Sequence, residues 1–294
     1  MNTGCTVVTM VREPVDTILN FVSWYLNLGA EKIVICFDDP EDPALGVLDA
    51  MHLDRVETHA CTPEFWRALR ISPKHVMKKQ KAVFNWAYRN AKTPWMLALD
   101  GDEYLYLGGR SLDQFIATVD DDIPAVRFLP VEPVGTQDTV QWFRSGAHRR
   151  KLTPIYGDDI KFFGARAGLL GHSEGKSMTR TGLDVYIRLH WAKTADGTPL
   201  KNHTVGPDQG ACLMHFFNNG YDEWRRKLDW RKSTWGFAKA VSAQLDSYDE
   251  PALQSLYDRI HTIDADQLAA LKELNAVHNI NIDLAETRSR VLGC

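Results

Sequence analysis

The segment LALDGDEYL, residues 97–105, places three carboxylates at the end of an apolar run: Asp100, Asp102 and Glu103, with Gly101 between the first two. Acidic groups this close disfavour one another's charged form unless something positive lies among them. A hard divalent cation, Mn2+ or Mg2+, would supply that charge, because such ions take oxygen ligands and keep positions open for substrate phosphates. Gly101 lets the backbone come close to a ligand. Asp-Gly-Asp by itself is an ordinary acidic turn; its place directly after a buried strand is what points to a metal–diphosphate site.

Other polar residues fall at comparable positions. Arg12 and Glu13 follow the run CTVVTMV (5–11), and Asp38 and Asp39 follow KIVICF (32–37). On a helical projection of residues 73–92, Val76, Met77, Val83, Phe84, Trp86, Ala87 and Ala91 form one arc. Lys74, Lys78, Lys81, Arg89 and Lys92 lie opposite, with Lys81 at the boundary. Gln80 falls inside the apolar arc, where a buried amide must find partners.

These residues need elements to hold them. The runs 5–11, 32–37, 55–60 and 94–100 read as strands, and the segments 15–29, 44–51 and 73–91 as helices between them. That alternation predicts an α/β fold with a mostly parallel sheet, in which ligands bind at the carboxyl ends of the strands. Beyond residue 105 a helix near 111–119 and a strand 125–131 precede about eighty residues of short strands and glycine-rich turns. A last strand, ACLMHFF (211–217), leads to a chain that reads as helical from Tyr221 almost to its end. The expected organisation is one α/β domain over 1–232, with a nucleotide-binding half (1–105) and a mixed second half (106–232), and a helical C-terminal cap over 233–294.

The chain has 294 residues, 34 Lys+Arg against 38 Asp+Glu, and a formal net charge of -4. That balance argues against a nucleic-acid backbone as the main partner, since such binders carry a basic surplus. The charge is unevenly spread. Residues 62–92 hold eight Lys/Arg and one acid, and residues 141–232 hold sixteen against nine, so two basic segments bracket the acidic turn. No apolar stretch approaches the roughly 20 residues needed to span a bilayer, and MNTGCTVVTMVREP has no charged leader with an apolar run. The expected location is the cytoplasm. Cys5, Cys36 and Cys212 sit in apolar runs and read as small buried thiols rather than disulfide partners.

The ordered set of these motifs resembles the GT-A nucleotide-sugar glycosyltransferases, in particular the family-2-like branch that includes family 92, the former domain of unknown function 23. The matching pieces are VVTMVREPVDTILNFVSWYLNLGAEKIVICFDD, Gln80, WMLALDGDEYL, GKSM (175–178), the His of IRLHW (His190) and LMHFFNNGYDEWRRKL (213–228). The likeness spans about residues 5–232. It departs where Phe216 replaces the usual Tyr, where GYD (220–222) replaces the usual Ser, and where Arg12-Glu13-Pro14 replaces Asn-Glu.

The resemblance implies a GT-A, Rossmann-like fold and transfer of a sugar from a UDP- or GDP-sugar to a glycan or lipid-linked acceptor. It implies Asp102 as ligand of the metal bridging the donor diphosphate, Asp100 at the ribose or the metal, and His215 as a third metal ligand. Arg12, Glu13, Asp38, Asp39, Gln80 and Lys81 would flank the nucleotide. Lys176 and Lys227, with Arg225 and Arg226 nearby, would stabilise the charge developing on the diphosphate. Inverting chemistry needs a carboxylate to take the acceptor's proton. Among Glu132, Glu174, Asp184 and Asp222, Glu174 ranks first because it adjoins Lys176. A lipid-linked acceptor would bring peripheral contact with the inner face of the membrane. A non-catalytic or hydrolytic nucleotide-sugar binder on the same scaffold is the alternative. Trp24, Trp86 and Trp95 read as packing residues, and Trp142, Trp191, Trp224 and Trp235 as candidates to line an acceptor groove.

Overall fold

The computed structural model describes residues 3–72, 75–135, 140–163, 168–217, 220–233 and 237–294. In chain order the elements are β1 (Cys5–Val11), α1 (Val15–Asn27), β2 (Lys32–Phe37), α2 (Pro43–Ala50), β3 (Val56–Ala60), α3 (Pro63–Ala68), α4 (Val76–Asn90), β4 (Trp95–Leu99) and β5 (Glu103–Tyr106). Then come α5 (Leu112–Ile116), β6 (Ala125–Phe128), β7 (Pro130–Val134), β8 (Val140–Ser145), α6 (Arg149–Tyr156) and a 3-10 turn (Gly157–Phe163). The remainder is β9 (Lys176–Arg180), β10 (Val185–Ile187), β11 (Ala192–Thr194), β12 (His203–Val205), β13 (Cys212–His215), α7 (Tyr221–Ser233), α8 (Lys239–Asp246), α9 (Glu250–His261), α10 (Ala265–Glu273), β14 (Val277–Ile282) and α11 (Leu284–Leu292).

Two compact units result. The first comprises Met1–Leu129, Glu174–Leu213 and Leu284–Cys294; the second comprises Pro130–Ser173 and Met214–Asp283. The boundaries expected at residues 105 and 232 each fall inside a unit.

The first unit is an α/β layer structure around a seven-stranded sheet of order β12-β6-β9-β4-β1-β2-β3. Every neighbouring pair is parallel except those made by β9, which runs antiparallel to both β4 and β6. All seven residues of β1 are buried, as expected for a central strand covered on both faces. Helix boundaries follow local chemistry. Asp42 and Thr62 cap α2 and α3 ahead of a proline at the first helical position, and Ser111 and Gln114 form a capping box on α5. The C-terminal α11 belongs to this unit, tied to α1 by Arg288 to Asp16 at 2.8 Å and Arg290 to Asn27 at 3.0 Å.

The order of strands reverses between β1 and β4, so the crevice beyond their carboxyl ends is the switch point where open α/β sheets bind ligands. Reversal of β9 matters there. Its first residue, Lys176, pairs with Phe128 at the end of β6, and Met178 pairs with Leu97 of β4. The start of β9 therefore arrives at the carboxyl edge.

In the second unit β14, β8 and β7 form an antiparallel run, with β13 beside β7. Helices α6–α10 surround a core that includes Leu152, Phe163, Trp224, Leu228 and Leu256. Trp224, expected at a groove, is instead buried in this core at 2% exposure. Trp142 and Trp191 are half-buried, each beneath a cation, Lys272 and Arg127 respectively. Trp235 and Lys74 lie outside the described residues.

Three elements differ from the expected pattern. The strand expected at 125–131 breaks at Leu129 into β6 and β7. Helix α6 occupies a stretch expected to be strands and turns; it contains Pro154, a residue that argues against helix when only local sequence is weighed. Strand β14 interrupts the expected C-terminal helix, its Val277, Ile280 and Ile282 buried. No helix among the described residues is long and apolar enough to cross a membrane. Cys5, Cys36, Cys61 and Cys212 are buried free thiols.

Gly175, which precedes Lys176, has φ +67°, and a Cβ there would stand 2.0 Å from the Phe128 carbonyl oxygen. The left-handed backbone and the clash with main chain both oppose a side chain. Gly175→Ala is expected to lose ~2 kcal/mol or more in urea unfolding; a loss below about 0.5 kcal/mol would show that the β6–β9 edge relaxes freely.

Candidate active site at the carboxyl edge of the first sheet

The acidic turn after β4 is built around one buried cation. Lys176 Nζ lies 2.8 Å from Asp100 Oδ2 and 3.2 Å from Glu103 Oε2. Lys176 and Glu103 are 1% and 0% exposed. Burial by itself lowers the affinity of this amine for a proton, but the two carboxylates outweigh it and hold the Lys176 pKa above the usual lysine value. Part of the positive charge that the acid cluster requires, the part facing Asp100 and Glu103, is thus provided by the chain itself.

Two further bonds lie within the turn itself. The Asp100 N–H donates to Glu103 Oε2 at 2.8 Å, and the Glu103 N–H donates to the Asp100 carbonyl at 3.2 Å. Gln80 Nε2, from α4, donates to Asp100 Oδ1 at 2.8 Å. Both oxygens of Asp100 are therefore engaged, one by an ammonium and one by an amide. Behind the turn, α1 anchors β5: Tyr25 donates to the Glu103 carbonyl and accepts from the Leu105 N–H, both at 3.0 Å, and Trp24 donates to the Leu105 carbonyl at 2.9 Å.

Asp102 is half-buried in the same turn. Gly101 presses against the end of β1, where a Cβ would come within 3.2 Å of Val11 and 3.5 Å of Glu13. Glu13 is half-buried and Arg12 exposed. The Tyr104 phenol is pushed well up, first by burial and then by the negative charges of Asp102 and Glu13.

Along the edge, Asp38 Oδ1 meets Lys79 Nζ at 2.5 Å. Asp39 accepts the Glu41 N–H at 3.0 Å, an ordinary turn contact. Lys81, expected at the nucleotide, is half-buried and contributes a main-chain carbonyl to Asn85. The lysine brought to the edge is Lys79. On the α4 projection it falls between Val83 and Trp86, inside the apolar arc, and that was the signal for it. Glu103, which the sequence marks as one of three clustered acids without giving it a role, is the most deeply buried acid of the turn.

The other candidates have identified partners. Glu174 pairs with Arg127 at 2.5 Å in an exposed setting, and Asp184 is exposed. The following segment is ordered by His190, whose Nδ1 lies 3.0 Å from the Gly175 carbonyl, and by Ser177, which donates to the His190 carbonyl at 3.0 Å. In the second unit Lys227 pairs with Glu223 at 2.5 Å, and Arg225 with Glu250 at 3.3 Å and Asp229 at 3.5 Å. Arg226 lies 4.0 Å from Glu223, and Asp222 is exposed.

His215 ends β13 in the second unit, buried, with its ring centroid 4.8 Å from that of His172. Glu132 is buried there and bonded to Arg144, a structural role rather than that of a proton acceptor open to substrate. Beside Arg144, His261 is held neutral, its pKa pushed down to about 3 by burial and by the charges of Arg144 and Arg231. Glu132, Arg144 and His261, with Gly135, Leu170, His215, Phe217 and Tyr257, line a cavity of about 40 Å³.

No protein-family model matches the chain, and no curated protein does. Among solved structures it is similar to a mycobacterial protein at 12% identity, over 90% of this chain and 76% of that one, with TM-score 0.40. It is also similar to a mannosyltransferase of Pyrobaculum calidifontis in complex with GDP-Man and Mn2+, at 12% identity over 92% and 74%, with TM-score 0.39. A third similar structure is HddC from Yersinia pseudotuberculosis, at 12% identity over 75% and 98%, with TM-score 0.33. At this level the likeness says nothing about the chemistry of individual residues.

Removing Lys176 would strand a buried carboxylate. Lys176→Met is expected to lose about 3–5 kcal/mol in urea unfolding, and adding Glu103→Gln is expected to recover part of that loss, since the two residues interact directly. Because the folded-state pKa of Lys176 is raised, its contribution is fully present below the unfolded lysine value of about 10.4 and is lost only as pH rises through the folded value. The stability gap between wild type and Lys176→Met should thus stay flat from pH 7 to about 10, and a gap that closes in that window would contradict the assignment.

Proposed function

We propose that the chain is a metal-assisted glycosyltransferase that takes a sugar from a UDP- or GDP-sugar and passes it to a glycan or lipid-linked acceptor, using a GT-A-type first unit. The observation that carries this reading is the polar edge at the sheet's switch point. Asp100 is fixed there by Lys176 and Gln80, with Asp102 beside it and the Asp38–Lys79 pair along the same edge.

Each residue then has a role set by its partners. Asp100, immobilised through both oxygens, faces the ribose rather than a metal. Asp38 and Lys79 border the base, with Arg12, Glu13 and Asp39 around it. The donor set suits a hard ion: Mg2+ or Mn2+ needs only one or two protein carboxylates when phosphate oxygens complete its shell, and Asp102 is the carboxylate of the turn that Lys176 and Gln80 do not take up. When bound, such an ion neutralises the diphosphate as it departs. Lys176 acts as a positioning residue and as fixed positive charge beneath the leaving group. Glu174 remains the candidate to take the acceptor proton; its pairing with Arg127 is of the exposed kind, worth about 1 kcal/mol or less, so releasing it costs little.

Asp102→Ala should leave the circular dichroism spectrum and thermal midpoint close to wild type. It should abolish the Mn2+-dependent stabilisation by a UDP- or GDP-sugar and lower sugar transfer by ~100-fold or more, the scale of losing one transition-state electrostatic partner. Transfer within about tenfold of wild type would overturn the role of Asp102. A nucleotide-sugar-dependent stabilisation with neither transfer nor donor hydrolysis in the wild type would assign the alternative, a binding protein.

A further inference from the structure

The seven-stranded sheet ends on β3, and the main-chain groups of that strand fall into two sets. Toward β2, the Ile33 N–H donates to the Arg55 carbonyl at 2.8 Å and the Cys61 N–H donates to the Phe37 carbonyl at 2.9 Å. Successive residues of a strand turn their main-chain groups to opposite sides. Arg55, Glu57, His59 and Cys61 therefore serve the ladder with β2, and Val56, Thr58 and Ala60 turn outward. Two outward groups are used at the ends of the strand: the Val56 N–H donates to the Leu53 carbonyl and the Ala60 carbonyl accepts the Thr62 N–H, both at 2.9 Å. The Val56 carbonyl, the Thr58 N–H, the Thr58 carbonyl and the Ala60 N–H have no main-chain partner among the described residues. All five residues of β3 are half-buried, whereas five of the six in β2 are buried. Beside the strand lies a groove of about 350 Å³, lined by residues that include Leu48 and Asp49 of α2 and Val56 and Thr58 of β3.

An open row of donors and acceptors is a template for another strand, and the row on β3 is complementary to itself. When two copies meet antiparallel about a two-fold axis through Thr58, the Thr58 N–H of each donates to the Thr58 carbonyl of the other. The Ala60 N–H of each likewise donates to the Val56 carbonyl of the other. All the open groups are then used, and the two already engaged at the strand ends are not called on. The side chains agree with this register. Glu57 of each copy falls opposite His59 of the other, in the non-hydrogen-bonded kind of pair, whose side chains stand closer. Within one chain Glu57 already holds Lys32 on Oε2 at 3.0 Å and His59 on Oε1 at 2.7 Å, so each carboxylate comes to lie between two imidazoles. Moving the axis by one residue destroys the match: centred on Glu57 it sets carboxylate against carboxylate, and centred on His59 it sets imidazole against imidazole. The opposite edge of the sheet offers less, since β12 is only three residues long.

We propose that β3 is a homodimerisation edge, on which a second copy of this chain pairs antiparallel about Thr58 and joins the two seven-stranded sheets into one. The occupant is a second copy because both the main-chain groups and the charges of VETHA complete themselves under a two-fold rotation, which is what an isologous interface requires. An unrelated strand would satisfy the same main chain but would meet Glu57 and His59 without regard to their charge. The contact is short beside a standard interface of about 800 Å² per partner, so the dimer assembles at micromolar rather than nanomolar concentrations. The proposal does not rest on the transferase reading, because the outward groups of β3 take no part in the polar cluster around Asp100.

The test is sedimentation velocity of the full chain from ~1 to ~200 µM, in wild type and in Glu57→Lys, His59→Glu, Thr58→Pro, Thr58→Val and Asp102→Ala. Wild type should pass from monomer to dimer within that range, and Asp102→Ala, remote from the contact, should match it within about twofold. Glu57→Lys sets a lysine opposite His59, and His59→Glu sets a glutamate opposite Glu57, so each alone should associate at least ~10-fold more weakly. An equimolar mixture of these two variants should dimerise again. Across the mixed pair the introduced lysine meets the introduced glutamate, and the native His59 meets the native Glu57. Thr58→Pro removes the central N–H at a position where an edge strand tolerates proline, and should abolish the dimer. Thr58→Val, which loses only the side-chain bond to Asp49, should dimerise as wild type does. Amide hydrogen exchange locates the contact: raising the concentration should slow the Thr58 and Ala60 amides and leave those of Glu57 and His59, already in the ladder, unchanged. A wild type that is monomeric throughout, a dimer that Thr58→Pro forms as readily, or a mixture no more associated than its components overturns the proposal. So does protection of the Thr58 amide in the monomer, which would show the edge covered from within the chain. Thermal midpoints identify any variant that fails to fold, and the exchange result in wild type then decides the matter.

Discussion

A single ammonium group organises the edge of the first unit. Lys176 Nζ sits between Asp100 and Glu103 with almost no access to solvent. Without it a wholly buried carboxylate would face another at close range, an arrangement that proteins avoid by protonation or rearrangement. With it, both acids are ionic hydrogen-bond acceptors of defined direction. Glu103 can then turn back to the Asp100 N–H, and Asp100 can offer its second oxygen to Gln80. The shape of the acidic turn follows from where this one charge is held.

Placement of that charge is in turn a property of the sheet. β9 is the one strand of the seven that runs against its neighbours, and its reversed direction brings its first residue, not its last, to the carboxyl edge. Gly175 lets the chain enter β9 beneath the Phe128 carbonyl, and His190 secures the Gly175 carbonyl from the other side. The supports of Lys176 are therefore main-chain geometry and one imidazole. The same division of labour recurs in the second unit, where buried ions act on backbone groups: Glu132 and Arg231 grip the amides and carbonyl of one turn. In both places an expensive buried charge is spent on fixing a short segment that bears a polar side chain.

Much of the first unit was legible in the residue pattern. The apolar runs of β1, β2 and β4, the helices α1 and α4 between them, and the acids that end β2 and β4 are local signals, written as periodicity and as the residue type at a strand's end. Elements whose local signals conflicted were not: α6 contains a proline, β14 has only three buried positions, and both owe their conformation to what they pack against. Trp224 was misread for the same reason, since an aromatic side chain suits a sugar groove and a helical core equally well until the neighbouring helices are in place.

The acid cluster draws the line most clearly. From the sequence alone it followed that three carboxylates at the end of a buried strand need a positive charge, because like charges at short range repel regardless of fold. What that charge is did not follow. A metal ion is the partner that local sequence suggests for the group; for Asp100 the chain itself brings Lys176, 76 residues along, through the order and direction of strands in the sheet. Residue type and spacing determine which groups require a partner. Only tertiary structure decides which partner arrives, because strand order joins positions that no sequence period connects.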